Sequence, residues 1–210
     1  MSSDELIRRL LDEAGTTYAE EAGITLADKP MPLFELLVLC MLASKPIDAT
    51  IATKAAKEIF REKLRTPDAV LDADRTTMIE AFGRAGYARY DESSADRLVD
   101  IATFLRDEYR GDMRTLASCA DHDVSKTKQL LKDFKGIGDT GADIYLREVQ
   151  DVWPWARPHF DQRALGAAKG LGLPTDAEKL GKLAGDNCAP LAAALVRVSL
   201  DDGLREKVTG

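Results

Sequence analysis

Apolar positions recur at helical spacing along nearly the whole chain, and strand-like alternation is scarce. Leu6, Ile7, Leu10, Leu11 and Ala14 form one face of a helix over 4–14, with Asp4 as its expected N-cap. The stretch 23–32 holds two prolines and reads as a connector. A strongly apolar helix is predicted over 33–44, ended by Pro46. Asp48 or Thr50 then starts a helix through Glu62, with Ile51, Ala55, Ile59 and Phe60 inward. TPDAVLDAD reads as a single turn. Helices follow at 75–82, 92–109, 113–120 and 124–133. After FKGIGD come helices at 140–149, 161–170, 176–186 and 190–200, the first two separated by a loop with Trp153, Trp155 and Pro158. Ten or eleven helices with short connections describe an all-α protein.

Composition narrows the class. Hydrophobic residues make up 45% of the 210, enough for a core. Cys40, Cys119 and Cys188 lie far apart, with no metal or disulfide spacing. The longest apolar run, 36–43, falls short of the ~18 residues of a membrane span, so no membrane partner is expected. MSSDELIRRLL has acids before bases and no cleavage pattern. A cytoplasmic protein is the expectation, nucleoid-associated if bacterial. The net charge of −7 argues against a general polyanion binder. Residues 126–170, however, carry eight Lys/Arg and six Asp/Glu, so this window is +2 and the remainder −9.

That window holds KTKQLLKDFKGIGDTGADIYLREV, two helical stretches around Gly136-Ile137-Gly138. The glycines allow a tight turn and let the backbone approach another molecule closely. Ile137 can plug the groove between the helices. The second helix begins just after the turn, so its free N–H groups make an anion site suited to a phosphate. Lys135 is the nearby candidate for a phosphate contact. A plain helix–turn–helix that binds nothing would show the same glycines.

FKGIGDTGAD resembles the helix–hairpin–helix motif of the base-excision DNA glycosylases related to endonuclease III, the HhH-GPD superfamily. Phe134, Gly136, Ile137, Gly138, Ala142 and Asp143 match its pattern, and Lys135 stands where a proline is usual. LFELLVLCMLASKPIDATIATKA and GYARYDESSADRLVDIA resemble two upstream segments of the family. RPHFDQRAL places Asp161 where the family carries an essential aspartate. The resemblance runs from about residue 30 to 200.

The resemblance implies two helical lobes with a DNA-binding cleft. A six-helix barrel over 29–149 would end in the hairpin, and 1–28 would join 150–210 in the second lobe. It implies a DNA-repair N-glycosylase acting, as a monomer, on double-stranded DNA with a damaged or mismatched base. Asp161 would stabilise the sugar cation or activate water. Bifunctional members carry a Schiff-base lysine where this chain has Thr140, so a monofunctional, water-using enzyme is implied. Gly136, Ile137, Gly138, Thr140, Lys135, Arg157 and Arg163 would contact DNA. Lys45, Tyr87 and Trp155 are the candidates for pocket or wedge. Hairpin carbonyls around 133–138 could hold a monovalent cation, K+ or Na+. No iron–sulfur cluster is expected, since Cys188 is alone near the C-terminus. Asp139 in the hairpin should weaken DNA binding. A non-catalytic helix–hairpin–helix protein that binds DNA structure or a protein partner is the alternative, and a scaffold without DNA binding is a third.

Overall fold

The computed structural model describes residues 2–210, which divide into two compact units. The divisions fall between Tyr18 and Ala19 and between Tyr145 and Leu146.

The unit Ala19–Tyr145 contains α3 (Pro30–Ala43), α4 (Ala49–Arg61), α5 (Pro67–Leu71), α6 (Arg75–Arg84), α7 (Asp91–Tyr109), α8 (Met113–Cys119), α9 (Val124–Lys132) and most of α10 (Asp139–Val149). Its centre is α3, buried from Pro32 through Leu42. A helix that is apolar all round has to be an interior one. α4, α7 and α8 pack on it, and α6 joins α4 to α7. Pro30 and Pro32, expected in a connector, are instead in the first turn of α3. Proline fits there because first-turn N–H groups have no intrahelical partner. Glu35 is the one acid in this core segment and meets Arg65 Nη1 at 3.4 Å. Burial pushes its carboxyl above the usual range, against the opposing pull of Arg65.

The unit formed by residues up to Tyr18 and by Leu146–Gly210 contains α1 (Ser3–Ala14), α11 (Gln162–Gly170), α12 (Ala177–Ala184), α13 (Cys188–Val198) and α14 (Asp202–Thr209). The short α2 (Tyr18–Glu21) straddles the division. Here α13 is the central element, and α1, α11, α12 and α14 all pack against it. The N-cap of α1 is Ser2, which accepts from Glu5 N at 3.2 Å, in place of the expected Asp4. Asp4 sits in the first turn, where its charge suits the helix dipole. No helix among the described residues is long and apolar enough to cross a membrane.

Candidate active site and nucleic-acid interface

The hairpin is built by local chemistry. Asp123 caps α9 by accepting from Lys126 N at 2.8 Å. After α9, Phe134 N reaches Leu131 O and Ile137 N reaches Phe134 O, which closes the turn. Gly136 has φ 96, a left-handed conformation that a Cβ disfavours. Gly138 O then accepts from Ala142 N at 3.0 Å as α10 starts. Phe134 anchors the turn against α7, its ring 4.8 Å from Phe104 in an edge contact. Ile137 is buried, and its Cγ2 would lie 3.3 Å from a Cβ at Gly141. A Cβ there would also lie 2.4 Å from Ser44 Oγ, so α10 runs close to the turn after α3. Gly138, Asp139 and Thr140 are exposed at the start of α10.

Charge around the hairpin is largely paired, in one case by a carboxylate from outside the 126–170 window. Lys132 pairs with Asp139 at 2.9 Å, Lys128 with Asp143 at 2.7 Å, and Lys135 with Asp100 at 2.9 Å. Asp139, expected to weaken DNA binding, has Lys132 as its partner while its own side chain stays largely exposed. Lys135 remains 64% exposed in its pair. An exposed ion pair is worth about 0–1 kcal/mol, so Lys135 can exchange Asp100 for a phosphate at little cost.

The other unit holds Asp161. It caps α11, its Oδ1 accepting from Ala164 N at 2.9 Å. Its Oδ2 accepts from Arg147 Nη1 at 2.7 Å. The Asp161 side chain is 8% exposed and that of Arg147 is 4% exposed. Arg147 also lies beside Glu148, with Nε 3.7 Å from Oε1, and 5.5 Å from the centre of the Tyr18 ring. Burial works against the Arg147 charge, but Glu148 and Asp161 more than offset it and raise its pKa. Sequence reasoning missed Arg147. Its signal was weak, because an Arg-Glu pair on a helix ordinarily marks a solvated face.

The segment leading to Asp161 is held by side-chain clamps. Gln150 donates to Arg147 O at 3.0 Å and His159 O at 2.9 Å, and accepts from His159 N at 2.9 Å. Arg157, expected to reach phosphate, donates to Gln150 O at 2.6 Å and Asp151 O at 3.0 Å. Its guanidinium thus satisfies carbonyls just past the end of α10, a common use of a helix C-terminus. Arg163 is exposed, pairs with no carboxylate among the described residues, and lines a groove of about 260 Å³ with Gln162, Gly166 and Arg205.

No protein-family model and no curated protein matches the chain. Solved structures do. A trapped endonuclease III–DNA covalent intermediate is 18% identical, with 93% of this chain and 85% of that one covered and a TM-score of 0.47. The 3-methyladenine DNA glycosylase of H. pylori (MagIII), bound to 1,N6-ethenoadenine, is 17% identical. That match covers 98% of this chain and 99% of the other, with a TM-score of 0.57. The chain has the helix–hairpin–helix DNA glycosylase fold.

Within this glycosylase fold, the pocket candidates separate. Lys45 is half-buried after α3, its Nζ 5.7 Å from the Tyr90 ring centre, with Arg89 at 5.4 Å from the same ring. Tyr87 is fully enclosed, so it cannot stack on a base. Its hydroxyl donates to Leu42 O at 3.0 Å, satisfying a carbonyl at the end of α3. Burial pushes its phenol up to about 12. Tyr87→Phe is expected to lose about 1 kcal/mol in urea unfolding and leave DNA affinity unchanged. Trp155 is half-buried and stacks on the buried Trp153 at 5.0 Å. Cys40 and Cys188 are buried and Cys119 is exposed, all as free thiols. Among the described residues no cluster of His, Cys, Asp and Glu could hold a metal ion.

Proposed function

We propose that the chain is a DNA-repair N-glycosylase, monofunctional and monomeric, acting in the cytoplasm. It hydrolyses the bond between deoxyribose and a damaged or mismatched base. The observation that carries this reading is a carboxylate fixed through both oxygens, within a fold that covers a glycosylase from end to end.

DNA meets the hairpin through the N–H groups at the start of α10, with Lys135, Ile137 and Thr140 beside them. A monovalent cation on the hairpin carbonyls would strengthen that contact. Arg163 supplies a second cation, two residues after Asp161. Lys45, with Tyr90 beside it, fills the gap left by a base turned out of the stack. Extrusion costs a few kcal/mol, least for a damaged or mismatched base, and this favours such sites.

As the glycosidic bond breaks, its electron pair leaves with the base, which takes a proton from solvent. Positive charge develops on the sugar, and Asp161 stabilises it. Each Asp161 oxygen has one lone pair beyond its fixed bond. One of these accepts a proton as water adds to C1′. The products are the free base and an abasic site. Thr140 offers no amine for an imine, so the strand stays intact.

The decisive assay is release of free base from duplexes carrying alkylated, deaminated, oxidised and mismatched bases. Release without strand cleavage is expected, and no release from any of them overturns the proposal. The alternative is a non-catalytic protein that binds DNA structure, a reading favoured by the low exposure of Asp161. Lys135→Glu tests the binding half common to both readings. It sets a carboxylate against Asp100, and DNA affinity should fall, with the salt slope reduced by about one. Unchanged affinity and slope would remove Lys135 from the interface.

A further inference from the structure

One N-cap bond would leave the plane of the Asp161 carboxylate free to turn. The bond from Arg147 to the other oxygen removes that freedom. Arg147 itself is held in place, since its guanidinium lies against Tyr18 and is almost wholly buried. A buried cation this close would ordinarily cancel the charge of the carboxylate it holds. Here a second buried carboxylate, Glu148, stands 3.7 Å from Nε of the same guanidinium. Nε of Arg147 makes no hydrogen bond, so Glu148 acts on it by charge alone. Two carboxylates, Asp161 and Glu148, thus lie on one buried guanidinium. Arg197 also lies on the Tyr18 ring, at 4.3 Å, but it is partly exposed to solvent and donates to Thr16 O.

Building on the glycosylase reading above, we infer that Arg147 is a positioning residue for Asp161 and that Glu148 balances its charge. Arg147 fixes the direction of the carboxylate. Glu148 satisfies the guanidinium electrostatically, so that Asp161 keeps its negative charge for the sugar cation. Arrangements of buried charge of this kind seldom add stability over apolar packing, so their value here is geometric.

The test has two readouts. The first is a double-mutant cycle in denaturant unfolding, with Arg147→Met, Asp161→Asn and both together. The double variant should depart from additivity by about tenfold or more in unfolding constant. Additivity overturns the positioning role, whatever the activity. The second is single-turnover base release beside DNA affinity, on folded protein. Arg147→Met should slow release by about a hundredfold, with affinity within about twofold, and Arg147→Lys should recover part of the rate. Glu148→Gln, which keeps the shape but removes the charge, should slow release by about tenfold at unchanged affinity. Wild-type rates in Arg147→Met or Glu148→Gln would overturn the corresponding role. Wild-type protein that releases no base overturns the glycosylase reading and the catalytic part of this one. The cycle would still decide whether Arg147 holds Asp161.

Discussion

Asp161→Asn is expected to slow base release by about 10²–10⁴-fold, the range a positioned acid–base group supplies. Binding of undamaged duplex should stay unchanged, because the proposed hairpin contacts do not involve this residue. The substitution is not innocent for the fold. Asp161 takes Ala164 N–H on one oxygen and Arg147 on the other. Asparagine has one oxygen and one NH₂, so in either orientation a donor faces a donor. Arg147 would be left with Glu148 as its nearest counter-charge. A buried unsatisfied group costs about 1–3 kcal/mol, so the variant should also unfold earlier in urea. Activity must therefore be normalised to the folded fraction, read by circular dichroism at the assay temperature. A folded Asp161→Asn variant that releases base at the wild-type rate would remove Asp161 from the chemistry.

Much of the helical order was readable because it follows from short-range rules. α7 is long and ends before Gly111, so its span at 91–109 lies within a residue of the expected one. The hairpin was readable because two glycines around an isoleucine constrain the backbone directly. α14 was missed because Val208 is its only buried residue, which leaves no apolar stripe to detect. α2 is four residues long and has no periodicity to show. The electrostatics were the least legible part. Lys135 finds Asp100, 35 positions earlier, and Arg147 finds Asp161, 14 positions later. Counting charges in a window treats such residues as free, whereas folding pairs them. Tyr87 and Arg157 have protein partners that the sequence did not show, for a related reason. Each has a polar group that a nearby helix end could use, and the fold delivers that partner first.

The two hairpin glycines should respond differently to a single methyl group. Gly136 has φ 96, and a Cβ there would lie 3.4 Å from Arg97 Cδ and 3.6 Å from Met41 Cγ. Those contacts are ordinary or nearly so, and the cost of Gly136→Ala is conformational, about 1–3 kcal/mol. The turn would relax out of its left-handed geometry and carry the start of α10 with it. DNA affinity and unfolding midpoint should therefore fall together, affinity by about tenfold for each ~1.4 kcal/mol lost from the bound form. Gly138 needs no left-handed angle, and a Cβ there meets nothing within 4 Å. In the middle of no strained turn, Gly138→Ala should leave unfolding within about 0.5 kcal/mol of wild type. Its protein neighbours leave room for a side chain, so the substitution isolates what approaches from outside. If a phosphate backbone comes to this point, the methyl group blocks it, and affinity drops about tenfold while stability holds. Fluorescence anisotropy on a labelled duplex, run beside urea unfolding for both variants, separates the two effects. Equal affinity for Gly138→Ala and wild type would move the DNA contact away from the turn.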